Sequence, residues 1–246
     1  MTGADWWGRV VSGFTAAAPP VVPLWELLAV FAVAVTLSIP AVTWRYFGLF
    51  TTVVHELGHA FGNLMTGRLV TGITVKMDHS GSTTSYGRGI IGLIWSGFWG
   101  YPAPAVTGAA LVWAGFAGYG PAAMSIGVLI LIATLLFVRN GAGLLIVLAS
   151  AAAAGTLVMF VPPPFTGHVV IALGLALLVG SVRDWLNVVT VHFRRRELLE
   201  TSDAYLLFRR TMIPSPIWLL LFGAVIGWCW LTAYGSFGHL LERVSG

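Results

Sequence analysis

Residues 55–59 read His-Glu-Leu-Gly-His and lie inside an apolar run from Tyr46 to Met65. An ionisable side chain near the centre of a bilayer costs about 3 kcal/mol or more unless it finds a partner. Three such groups within five positions therefore call for a metal ion or a polar cavity. Residues four apart on a helix share one face, so His55 and His59 can turn ring nitrogens toward the same Zn²⁺. Glu56, between them, can take the proton of a water held at that metal. The competing reading is a chance HExxH whose imidazoles are satisfied by neighbouring carbonyls, and the burial cost weighs against it.

That the run lies in lipid follows from composition. The chain has 246 residues, is 57% hydrophobic and 9% charged, and has a mean hydropathy of +0.87. Soluble domains carry about 25% charged residues. The expected fold is an all-α polytopic membrane protein, one domain over residues 1–246, with about six to seven transmembrane helices. The net charge of +4 is no nucleic-acid signal, because the basic residues fall in loops between apolar spans. Cys229 is the only cysteine, which excludes an intramolecular disulfide and a cysteine cage for zinc. Any metal must be held by histidine and carboxylate. Residues 1–20 lack the pattern of a cleavable signal, and Trp6 and Trp7 read as an interfacial anchor or, equally, as part of a disordered tail.

Apolar spans are expected at about 21–39, 46–65, 100–119, 121–138, 144–161, 168–191 and 217–234. Between the second and third, residues 67–89 alternate β-branched and polar positions around the turn Asp78-His79-Ser80-Gly81. This predicts a β-hairpin or small sheet, at the interface or lining a cavity, because open backbone cannot face lipid. Gly97, Gly100, Pro102 and Pro104 interrupt 90–119. Either one helix kinks there, or 90–96 extends the sheet insertion to 67–96 and a helix starts near Gly100; the second is preferred. The Arg-rich segment 192–212 is expected in the cytoplasm, with Thr201 or Ser202 capping a short helix over 203–210. Arg9, Arg68, Lys76, Arg88 and Arg139 then fall on the same side, with Arg45 and Arg243 as exceptions. Almost all the basic residues are Arg, a bias of GC-rich genomes. The expected location is thus the bacterial inner membrane, with the site in its cytoplasmic half.

Two histidines do not complete a catalytic zinc site, which needs three protein ligands and an open position. Asp184, near the cytoplasmic end of the sixth span, lies at a depth compatible with His55 and His59. It reads as the third ligand, or else as a hydrated partner of Arg183 at a helix end. Asp78 and His79 read as solvated turn residues, and Glu26 as hydrated at the interface. His168 lies on the opposite side. His192, Glu197 and Glu200 read as surface ion pairs, and His239 and Glu242 belong to the tail.

These residues carry a resemblance. HELGHA in an early span, a following hairpin, a Gly/Pro break and a late membrane-embedded Asp resemble the site-2-protease class of intramembrane zinc metallopeptidases. More narrowly, the chain resembles the M50B-like branch, with SVRDWLNV, an Arg-rich stretch and then Ser202-Asp203-Ala204. The resemblance implies zinc held by His55, His59 and Asp184, and Glu56 as general base. It also implies a hairpin that pairs with an unwound transmembrane protein or peptide substrate. The class's third-ligand motif usually reads Asp–Gly, whereas Trp185 follows Asp184 here. The implied activity is hydrolysis of peptide bonds within the membrane. The alternatives are a zinc-binding scaffold that holds partner helices without cutting them, and a proton- or metal-coupled transporter.

Overall fold

A computed structural model describes residues 3–15, 19–20 and 22–245, with side chains described up to 237. The side chains beyond 237, His239, Glu242 and Arg243 among them, lie outside what is described. Among the described residues, ten α-helices and one hairpin follow in order: α1 Gly3–Ser12, α2 Leu24–Ser38, α3 Ala41–Met65, β1 Leu69–Val75, β2 Gly81–Tyr86, α4 Ile90–Trp99, α5 Pro102–Phe116, α6 Gly120–Thr134, α7 Gly141–Phe160, α8 Thr166–Arg194, α9 Asp203–Thr211 and α10 Ser215–Ser245. The all-helical class with one small hairpin holds.

Among the described residues, three helical stretches are long and apolar enough to cross a membrane: Gly141–Phe160, Pro163–Arg194 and Ser215–Phe237. The first two expected spans form a pair bent by 87° at residues 39–40, so together they count as a fourth at most. The expected spans 100–119 and 121–138 are the shorter apolar helices α5 and α6, and α4 is a third short apolar helix. Pro40 cannot continue the ladder of α2, and the bend follows there. Arg183 on α8 holds the corner: Nη1 donates to the carbonyls of Ser38 (2.8 Å) and Ile39 (2.9 Å). Its guanidinium lies 4.5 Å from the centroid of the Trp44 ring.

The centre of the bundle is α5 packed on α8. A Cβ on Gly108 would lie 2.6 Å from the Gly174 carbonyl, and a Cβ on Gly174 would lie 2.6 Å from that of Gly108. Small residues let the two backbones meet, as membrane helices require when no solvent drives them together. Glu26, expected at the hydrated interface, is partly buried and has a protein partner. It meets His168 Nε2 at 2.6 Å and ties the start of α2 to the start of α8.

The hairpin is antiparallel, with Ile73 opposite Thr83 and a bulge between Val70 and Gly72. β1's outer edge is closed. Ile73 N donates to Phe137 O (2.8 Å), and Arg139 N donates to Ile73 O (3.0 Å). Asn140 Nδ2 donates to Val75 O (2.8 Å). Among the described residues no segment pairs with the far edge of β2. The hairpin runs back along α3. Arg68 and Ser85 meet Asn63 near its end, and the turn meets its first half. His79 is half-buried rather than solvated, because Gly48 leaves room for its ring beside Trp44. Asp78 is exposed and closes the turn by accepting from Ser80 N and Oγ.

Residues 90–96 are helical, which corrects the expected sheet insertion 67–96. IIGLIWS has no period-two alternation, and a helix satisfies its own backbone in apolar surroundings where an added strand would need a partner. Gly100 and Tyr101 then break the chain before Pro102 starts α5.

Arg68 is 5% exposed and anchors the hairpin, with Nε donating to Asn63 Oδ1 (3.0 Å) and Nη1 to Gly87 O (2.9 Å). Arg68→Ala is expected to loosen the hairpin by about 1.5–3 kcal/mol, the usual worth of bonds to a charged group. Faster proteolytic nicking within 69–86, with the helical circular dichroism retained, is the expected result.

Candidate metal centre

α3 presents His55 and His59 one turn apart, as the four-residue spacing requires. Their Nε2 atoms approach to 3.1 Å. Asp203 Oδ2 lies 3.2 Å from each. Asp203 is the first residue of α9, after Ser202 at the N-cap position, whose carbonyl accepts from Tyr205 N and Leu206 N. The expected cap is therefore placed as predicted, although the Ser202 hydroxyl makes no capping bond.

Asp203 replaces Asp184 as the carboxylate brought to the two histidines. Among the described residues, His55, His59 and Asp203 form the one group of three potential ligands, with their atoms within 4.8 Å of one another. Asp184 is close enough for its charge to act on His55, but it does not join the group. Its neighbours fix α8 against rotation. Arg183 is held at the end of α2, and Trp185 Nε1 donates to Leu219 O on α10 (2.9 Å). Asp203 arrives by another route. The chain leaves α8 at Arg194, turns through a 3-10 helix at Arg196–Thr201, and lays α9 against α4, burying Ala204 and Leu207. A Cβ on Gly97 of α4 would already lie 3.1 Å from Leu207. The signal for Asp203 is Ser202-Asp203-Ala204, which stands outside every apolar span.

The donor set fits a tetrahedral zinc. Metal–ligand bonds of about 2.0–2.2 Å put neighbouring ligand atoms about 3.3 Å apart, close to the spacing seen here. His59 Nδ1 donates to the Ser96 carbonyl (2.8 Å), because a carbonyl can only accept. With an ion bound in place of the proton shared with Asp203, Nε2 would be the nitrogen that offers it a lone pair. Ser96 Oγ donates to His59 O (2.9 Å), and Asn63 Nδ2 donates to Ser96 Oγ (2.7 Å). Asn63 Oδ1 accepts from Arg68 Nε and Ser85 Oγ, so the network runs from His59 to the hairpin. Tyr101 meets the His55 ring edge-on at 4.8 Å and stacks on Phe222.

Gly100 keeps the space in front of the nitrogens open. A Cβ there would lie 2.5 Å from His59 Nε2 and 2.7 Å from His55 Nε2. The expected Gly/Pro break thus serves the site directly. The side chains of His55, His59 and Asp203 are 18%, 11% and 16% exposed, so water reaches them. Burial opposes ionisation of Asp203, but the charge of His59 and the bonds from both histidines outweigh it. The carboxyl is held well below its usual range and is an anion at neutral pH. Glu56 is 3% exposed and turns toward β2, where Thr83 Oγ1 donates to its Oε2 at 2.6 Å. Its charge acts on His59.

Elemental analysis of detergent-purified protein is expected to find stoichiometric zinc in the wild type. Loss is expected in His55→Ala and Asp203→Ala, and retention in Asp184→Ala. Gly100→Ala is expected to lower zinc occupancy severalfold, since its methyl fills the space beside both nitrogens.

The sequence profile of the peptidase M50B-like family matches residues 27–233, from α2 into α10. No curated protein and no solved structure matches the chain. The profile covers both histidines, Glu56, the hairpin and Asp203 in a single stretch, and the chain belongs to the peptidase M50B-like family.

Proposed function

We propose that this chain is a zinc-dependent intramembrane endopeptidase that cuts transmembrane protein or peptide substrates. The observation that carries the reading is the convergence of His55, His59 and Asp203 at 3.1–3.2 Å, inside an apolar bundle and one residue from Glu56. His55, His59 and Asp203 would hold the ion. Bound there, zinc supplies Lewis acidity toward a scissile carbonyl and makes a water easier to deprotonate near neutral pH.

The rest is the work of the protein's own groups. Glu56 accepts a proton from the attacking water and returns it to the leaving amide nitrogen. The substrate helix must unwind first, because its carbonyls are tied in i→i−4 bonds. The open edge of β2 offers backbone partners to the extended segment, while the edge of β1 is occupied. An apolar cavity of about 1010 Å³ borders the motif helix at Leu57, Gly58 and Phe61, opposite Trp99 and Ala103. It gives an apolar substrate a place beside the site. In this reading the site faces the cytoplasmic half of a bacterial inner membrane, on the side of the Arg-rich segment 192–212.

Glu56→Gln is expected to lower cleavage of a reconstituted membrane substrate at least about 10²-fold with zinc retained, the usual loss when a general base is removed. Unchanged cleavage in this variant would overturn the mechanism. A wild type that binds zinc and partner helices but cuts none would leave a scaffold in its place.

A further inference from the structure

We infer that Thr83 is the positioning residue for Glu56, which makes the hairpin part of the catalytic machinery. The inference rests on the peptidase reading above, in which Glu56 is the base. Thr83 Oγ1 lies 2.6 Å from Glu56 Oε2 and 3.1 Å from the Glu56 carbonyl. A hydroxyl has one proton to donate, and the shorter distance falls in the range of charge-assisted O–H···O⁻ bonds. That bond fixes one carboxylate oxygen and leaves the other for a second proton donor.

Gly81 completes the clamp. A Cβ on Gly81 would collide with Glu56 Oε1 and lie 2.9 Å from Cδ and Cγ. The carboxylate therefore fills a slot with the Thr83 hydroxyl on one side and the Gly81 backbone on the other. The alternation of β2 makes the slot. Positions 81, 83 and 85 face α3, while Ser82 and Thr84 face away and bond to β1 neighbours instead. Thr83 is also backed by a fixed residue of β1. It stands opposite Ile73, which is 1% exposed and is gripped on its far side by Phe137 and Arg139. A glutamate has three rotatable bonds and a helix surface restrains them weakly. A general base must stay within hydrogen-bond reach of one proton, so an anchored donor has kinetic value.

The test needs no substrate. Protein loaded with Co²⁺ gives a ligand-field band, and acetohydroxamate, which chelates such an ion and passes a proton to the adjacent base, is titrated against it. Affinity is expected to fall about tenfold in Thr83→Val, the effect of one lost oriented bond, with Co²⁺ stoichiometry unchanged. Thr83→Ser is expected to restore it to within about twofold, because the hydroxyl returns. Gly81→Ala keeps Thr83 but crowds Glu56, and is expected to weaken acetohydroxamate comparably; it also serves if Thr83→Val does not fold. Thr84→Val, on the outer face, is the control. Wild-type affinity in both Thr83→Val and Gly81→Ala, with Co²⁺ bound, would overturn the inference and leave the peptidase reading standing. No Co²⁺ band in the wild type would overturn the metal site and, with it, the role assigned to Thr83.

Discussion

Inside an apolar bundle, histidines and carboxylates that are not brought together each bear the full cost of leaving water. The meeting of His55, His59 and Asp203 answers that cost, and much of the fold can be read as its support. α3 supplies the two imidazoles at helical spacing. The break at Gly100 and Tyr101 removes the side chain that would block them and adds a ring that steadies His55. The turn after α8 returns Asp203 to the same point. The tight α5–α8 contact and the Arg183 corner hold these parts in register without touching the ligands.

The hairpin solves a second problem. Exposed strand edges are not tolerated in lipid, yet the proposed peptidase would need one to hold an extended substrate. The chain closes β1 with residues 137–140 and leaves β2 free, so the open edge is single and oriented. Its β2 side joins α3 through polar side chains, Thr83 to Glu56 and Ser85, with Arg68, to Asn63, while Ile73 and Val75 of β1 share an apolar cluster with Val53 and Ala60 of α3. These bonds are made away from bulk water, where an unpaired partner would be costly. They tie His59 to the strand through Ser96 and Asn63.

What could be read from the chain alone was what short-range spacing controls. The four-residue interval of His55 and His59 on a helix, the alternation of the hairpin and the break near Gly100 all depend on neighbours in sequence. Asp184 was the better reading by depth and hydropathy, because it lies in a span whose level matched the histidines. Depth says nothing about rotation, and the rotation of α8 is set by Arg183 and Trp185 against α2 and α10. Asp203 was visible only as a tripeptide in a polar stretch, since a turn after α8 carries it back. Residues 90–96 depart from the expected strand for a related reason: a short apolar run has the same composition as strand or helix, and only the available hydrogen-bond partners decide.

The order in which the chain is made gives the remote origin of Asp203 a consequence in time. His55, Glu56 and His59 leave the ribosome early, while Asp203 follows after most of the bundle has been synthesised. At about 5–20 residues per second, that interval lasts roughly 7–30 s. Throughout it, the nascent protein holds two of the three groups that converge, in a membrane crowded with other nascent helices that the proposed peptidase could cut. A site closed by Asp203 cannot be completed before α2 to α8 have been made.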